Sequence, residues 1–131
     1  MAELRVIIAG SRNFDNFSEL KDTCDSILKN TTDKCDNFDK IRIVSGTARG
    51  ADQLGEQYAK VAGYEVSKFP ADWDNLGKRA GFVRNVEMAK FAIENNSMGV
   101  LIAFWDGKSK GTKHMIEQAA KYDLKVYVVQ I

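Results

Sequence analysis

The chain has 131 residues, 44% hydrophobic and 28% charged, with Lys+Arg 19 against Asp+Glu 18 and a formal net charge of +1. That size and mix suit a single domain over 1–131, folded around one core. They exclude the strongly basic footprint of a protein that lives on nucleic acid, and no apolar run approaches the roughly 20 residues that span a bilayer.

Met1 to Arg5 leads straight into an apolar run rather than into a signal peptide, so a cytoplasmic location is expected. Leu4 to Ala9 reads as a strand buried on both faces, ended by Gly10. Phe17, Leu20, Cys24, Ile27 and Leu28 recur at helical spacing, which predicts an amphipathic helix from Asn16 to about Lys29. Asn30 to Lys40 is polar, without periodicity, and is expected to be a loop. Cys24 and Cys35 are read as reduced thiols, one in the core and one in that loop.

Ile41 to Ser45 forms the second expected strand, and Ala51, Leu54, Tyr58, Val61 and Ala62 mark the next helix, capped by Gly63. Glu65 to Phe69 is a short third strand stopping at Pro70, placed at a sheet edge. A charged loop follows, then a helix from about Gly81 to Asn95. Gly99 to Trp105 is the most apolar strand, Thr112 to Tyr122 a helix starting after Gly111, and Lys125 to Ile131 the last strand. Strand and helix alternate throughout, so the chain is an α/β protein with a doubly wound parallel sheet and right-handed crossovers.

Small, polar and basic residues gather where strands give way to helices. The first strand leads into Gly10, Ser11 and Arg12. The second ends at Ser45 and passes through Gly46, Thr47, Arg49 and Gly50, and the fourth runs through Trp105, Asp106 and Gly107 to Gly111 and Thr112. Strand carboxyl ends share one edge of a parallel sheet, and the helix amino termini there aim N–H groups at an anion. Glycine in βα turns also serves the fold alone, but two such turns together with arginines point to phosphate.

Guanidinium forks suit phosphate oxygens, which selects Arg12, Arg49 and Arg84 as ligand contacts, while Lys78, Lys108, Lys110 and Lys113 add field. Asp72 and Asp106 either meet ribose hydroxyls, or less favourably a metal, or cap their loops. Trp105 is preferred over Trp73 as a surface on which a base stacks. His114, the only histidine, is placed at the rim, and with two separated cysteines it builds no metal set. No cofactor is called for. Neither Ser11 nor Ser45 has the partners of a hydrolase triad.

The segments IIAGSR, VSGTARGAD, FPADW, RNVEM and AFWDGKSKGT, in this order and spacing, resemble the YspA-type branch of the SLOG superfamily, the Rossmann-like group related to the Smf/DprA and LOG proteins. The resemblance implies a three-layer fold with a five-stranded sheet in the order 3-2-1-4-5 and a cleft above the first and fourth strands. In that order Gly10, Ser11 and Arg12 face Trp105, Asp106 and Gly107 across one crevice. It also implies a nucleotide or ADP-ribose-like ligand, bound by a sensor or carrier domain, and a homodimer.

LOG relatives hydrolyse the N-glycosidic bond of nucleoside monophosphates with an arginine from an Arg-Lys-x-x-Met segment and a glutamate from a Gly-Gly-x-Gly-Thr-x-x-Glu loop. Arg84, Asn85 and Met88 match the first segment, but Met115 stands where the glutamate belongs. Glu117 lies two positions on, about 200° around the helix. Glu87, beside Arg84, is the substitute carboxylate, so Arg84 and Glu87 are the residues a phosphoribohydrolase reading would rest on. Gly46-Thr47 replaces the family's Gly-Gly, narrowing the pocket or adding a hydroxyl. A DprA-like single-stranded DNA binder is the third reading, opposed by the near-neutral charge.

Overall fold

Leu4, Val6 and Ile8 pack on one face of the first strand and Ile7 and Ala9 on the other, all of them buried, as a central parallel strand requires. The computed structural model describes residues 2–34 and 38–131. Cys35, placed in a loop by the sequence, lies outside the described residues.

The elements run β1 (Ala2–Gly10), α1 (Phe17–Lys34), β2 (Phe38–Ser45), α2 (Ala51–Ala62), β3 (Glu65–Lys68), α3 (Trp73–Leu76), α4 (Ala80–Ala92), β4 (Met98–Trp105), α5 (Lys110–Lys121) and β5 (Lys125–Gln130). Short 3-10 turns, Gly77–Arg79 and Glu94–Asn96, flank α4. All strands pair in parallel in the order β3-β2-β1-β4-β5. This is the Rossmann-like arrangement that the motifs implied, with β3 at an edge.

Two apolar layers follow from the alternation along β1 and β4. Leu20, Cys24, Leu28, Tyr58 and Ala59 of α1 and α2 pack with Val6, Ile8, Ile102 and Phe104. On the opposite face Met88 and Ala89 of α4 and Met115 and Ala119 of α5 pack with Ile7, Leu101 and Ala103. Gly63 ends α2 in the left-handed conformation, its N–H donating to the Ala59 carbonyl, as its position in the sequence predicts.

Several boundaries differ from the sequence reading. Helix α1 runs five residues past Lys29, to Lys34, and β2 already starts at Phe38, so most of the expected Asn30 to Lys40 loop is regular structure. Thr31 and Thr32 remain helical because their hydroxyls donate to the Ile27 and Leu28 carbonyls, which satisfies the side chains within the helix. The charged loop after Pro70 coils into α3 and a 3-10 turn, begun by Asp72, whose carboxylate accepts the Asn75 N–H. Helix α5 begins at Lys110 rather than Thr112, because Ser109 is the capping residue: its hydroxyl accepts the Thr112 N–H. Among the described residues no helix is long and apolar enough to cross a membrane.

Candidate functional site

The winding direction reverses between β1 and β4, so the loops leaving these neighbouring strands part and open a crevice at their carboxyl ends. Gly10 is in register with Phe104, and the Ser11 N–H donates to the Phe104 carbonyl at 3.0 Å. The buried Ser11 hydroxyl accepts the Asp106 N–H at 3.3 Å, tying the two loops together. Asp106 folds its own loop: Oδ1 accepts the Lys108 and Ser109 N–H groups at 2.8 Å each, which lowers its pKa. Gly107 takes the left-handed turn of that loop at φ +81°.

The turn from β2 to α2 forms the second wall. Ser45 is fully buried, donating to Glu56 Oε2 at 2.6 Å while its oxygen accepts the Thr47 N–H at 3.0 Å. Thr47 is held in the left-handed region at φ 63°, an uncomfortable place for a β-branched residue. Gly50, at φ +88°, lies against the Ser11 carbonyl and the Arg12 backbone, where a Cβ would collide with main chain. The first N–H of α2, from Ala51, is spent on the Ser11 carbonyl at 3.3 Å. The turns of β1 and β2 thus brace each other.

Asp52, in the first turn of α2, is drawn inward by this bracing and is only 6% exposed. Its Oδ2 accepts the Ala48 N–H at 3.2 Å. Burial raises the Asp52 pKa to about 6, against the pull of Arg84, the Ala48 hydrogen bond and Arg12, with Glu56 adding to the rise.

Helix α4 supplies the third wall. Arg84 donates through Nη1 to the Gly46 carbonyl and through Nε to Asn85 Oδ1 at 3.1 Å. Gly46 has room for this only because it lacks a Cβ, which would strike the guanidinium and sit 2.8 Å from Asp52 Oδ2. Burial lowers the Arg84 pKa while the Asp52 charge opposes it, and the group stays cationic. The buried Asn85 donates to the Gly111 carbonyl at 3.2 Å and lies 3.1 Å from His114 Nδ1. One polar chain therefore joins β2, α4 and α5. His114 packs against Phe82 with ring centroids 4.4 Å apart and the planes tilted by 47°, and burial lowers its pKa.

Two cavities share Arg12, Ala48 and Arg84. The outer one is a groove of about 510 Å³ lined further by Gly46, Thr47, Arg49, Pro70, Ala71 and Trp73. Three of its lining residues are arginines and none is acidic. The inner one, about 70 Å³, reaches down to Gly10, Asp52, Asn85, Thr112 and Met115. A third groove of about 530 Å³ sits between Phe38, Ile41 and Tyr64, away from the strand carboxyl ends. Its one cation among the described residues, Lys40, is already 3.0 Å from Glu65, so it offers an anion little.

The cleft brings together Gly10, Arg12, Gly46, Thr47, Arg49, Arg84, Gly111 and Thr112 of the residues singled out in the sequence. Ser11, Ser45 and Gly50 build the turns behind it. Asp72 caps α3, and Trp105 lines neither cavity: its indole N–H donates to the Ser109 carbonyl at 3.0 Å. Trp73, half-exposed, is the tryptophan that lines the groove. Glu87 is exposed and lines neither cavity, whereas Met115 forms part of the inner floor. Asp52 is the residue that sequence reasoning passed over. Its signal was the acid ending VSGTARGAD, which looks like an ordinary favourable charge at a helix start.

Comparison with known proteins places these residues in context. The chain is 32% identical over 127 residues to the Gene 61 protein of Mycobacterium phage D29, covering 93% of this chain and 93% of that one. No solved structure matches it. A family model described as YAcAr, the YspA, cpYpsA-related SLOG family, matches residues 4–76, from β1 through α3, and so includes the braced turns and Asp52 but not Arg84. Matched by that model over more than half of its length, the chain belongs to the YspA- and cpYpsA-related SLOG family.

Proposed function

We propose that the chain binds a phosphorylated, nucleotide-derived small molecule in the cleft walled by the β1 and β2 turns and α4 and acts as a sensor or carrier of it. The observation that carries this reading is the outer groove, where Arg12, Arg49 and Arg84 converge with no acidic residue among its lining. Its volume of about 510 Å³ falls in the range of small-molecule sites. Arginine forks and the Thr47 hydroxyl suit phosphate oxygens, and the exposed face of Trp73 suits a base. A nucleoside monophosphate or an ADP-ribose-like molecule combines both.

Binding is favoured over LOG-like cleavage of an N-glycosidic bond. Met115 occupies the inner floor where that chemistry uses a glutamate, and Glu117 and Glu87 are both exposed and line neither cavity. A single-stranded DNA ligand finds little support in a net charge of +1. The reading extends to a pair of chains associated through α4 and its end, where Phe82, Val83 and Ile93 remain exposed. Elution as a monomer at high micromolar concentration would remove that part of it.

The test is calorimetric titration with AMP, ADP-ribose, NAD and a short single-stranded DNA. Binding of a phosphorylated nucleotide that weakens in both Arg12→Ala and Arg84→Ala supports the assignment. Each lost charge-assisted contact should cost about 1.5–3 kcal/mol. Absence of binding by every ligand, or binding indifferent to both substitutions, defeats it.

A further inference from the structure

Asp52 is the only acidic residue among those lining either cavity of the cleft, and it is 6% exposed. Its Oδ2 accepts the Ala48 N–H, and no hydrogen bond reaches Oδ1 among the described residues. Arg84, which lines the same cavity, directs Nη1 to the Gly46 carbonyl and Nε to Asn85 instead. Oδ1 is not among the sealed, unpartnered polar atoms of the described residues; it opens onto the inner cavity, where it can accept from a donor that enters.

The surroundings restrict that donor. The inner cavity holds about 70 Å³, room for several water-sized groups and too little for a purine. A phosphate is a poor occupant, because a carboxylate repels it and it brings acceptors where donors are needed. The walls mix apolar Ala9, Met88 and Met115 with polar Asn85 and Thr112, which suits a hydroxylated carbon skeleton. Arg12, Ala48 and Arg84 line both cavities, so a group entering the inner one is covalently within reach of a phosphate in the outer groove.

Resting on the nucleotide reading above, we infer that Asp52 accepts the vicinal hydroxyls of a ribose, making this a site for phosphorylated ribosides that discriminates against their deoxy analogues. The phosphate stays with the arginines of the groove and the sugar edge points inward. The carboxylate acts as a specificity determinant, since a site built to bond a hydroxyl is left with a lone buried acceptor when the hydroxyl is missing.

The experiment is calorimetric titration of the full chain with AMP, 2′-deoxy-AMP and 2′,3′-dideoxy-AMP, with ribose 5-phosphate and 2-deoxyribose 5-phosphate in parallel. The wild-type chain should prefer AMP over the dideoxy compound by at least about tenfold. Asp52→Ala should bind the three nucleotides alike. Asp52→Asn keeps an acceptor oxygen and should retain part of the preference, and circular dichroism of both variants reports whether they fold. Equal wild-type affinity for all three nucleotides overturns the role of Asp52 and leaves phosphate binding standing. Failure of every phosphorylated compound to bind overturns both.

Discussion

Asp52 and Arg84 meet at the floor of the cleft without forming an ion pair. Arg84 donates to the Gly46 carbonyl and to Asn85 Oδ1, and Asp52 accepts only from the Ala48 N–H. Between them lies Gly46, close enough that a Cβ there would touch both side chains. Each charge is held in place by neutral partners, backbone groups and the Asn85 amide, and keeps hydrogen-bonding capacity for something else. Unpaired buried charges cost stability, so the arrangement does not serve the fold as a stabilising contact, which accords with the ligand site proposed here.

The cost is visible through pH. In the folded chain the Asp52 pKa stands at about 6, against an ordinary 3.8, with burial the largest cause. Arg84 on α4 and Arg12 from the β1 turn pull it down, and Glu56 on the same helix pushes it up. The folded state holds this proton more tightly than the unfolded one. Its stabilising contribution is therefore complete below about pH 3.8 and is lost as pH rises through about 6. Asp52→Asn carries no charge, so its stability relative to wild type should rise by about 2–3 kcal/mol between pH 4 and pH 8. Urea unfolding of both proteins at the two pH values measures this, and parallel stability curves would refute it.

Arg84→Lys keeps a positive charge in the groove but cannot serve the Gly46 carbonyl and Asn85 together. Affinity for AMP should fall by tenfold or more in titration, and unfolding free energy by about 1 kcal/mol. A lysine variant that binds within twofold of wild type would mean that charge alone suffices and that the fork geometry is irrelevant.

Much of the fold can be read from the chain because its central strands are buried on both sides. The runs at Leu4 to Ala9, interrupted by Arg5 alone, and Gly99 to Trp105 carry no polar alternation, as strands of a parallel sheet covered on both faces do. The segments that escaped are those stabilised by polar side chains acting locally. Thr31 and Thr32 extend α1 by bonding back to its carbonyls, and Asp72 starts α3 by accepting an N–H, neither of which leaves an apolar period. The arginines of the site were legible from their places after strand ends. Asp52 was not, because its inward position depends on Gly50 packing against the Ser11 carbonyl, a contact between turns nearly 40 residues apart.

Thr47 gives a test of strain at the site. It sits at φ 63°, where the family pattern of two successive glycines would be relaxed. The left-handed conformation costs a β-branched residue about 1–2 kcal/mol, and glycine gives back about 0.5–1 in backbone entropy. Thr47→Gly should therefore stabilise the chain by about 0.5–1 kcal/mol while weakening AMP several-fold through the lost hydroxyl. Thermal unfolding and titration of the same preparation read both effects. A variant that is less stable than wild type would show that the turn stores no strain.

The two tryptophans make the placement of the base measurable by fluorescence. Trp73 lines the groove and is 50% exposed, its indole lying beside Gly81 at the start of α4. Trp105 is fastened to the Ser109 carbonyl by its indole N–H and lines neither cavity. A base stacked on Trp73 should quench emission when AMP binds, and the quench should survive Trp105→Phe. Ribose 5-phosphate, which has no base, should bind with little quenching. Stacking is worth about 1–3 kcal/mol per base, so Trp73→Ala should weaken AMP by about tenfold or more and leave ribose 5-phosphate nearly unchanged. If Trp73→Ala weakened both ligands equally, the indole would be shaping the groove rather than holding a base. Quenching lost in Trp105→Phe would move the base to the β4 loop and place the phosphate nearer Ser109 than Arg49.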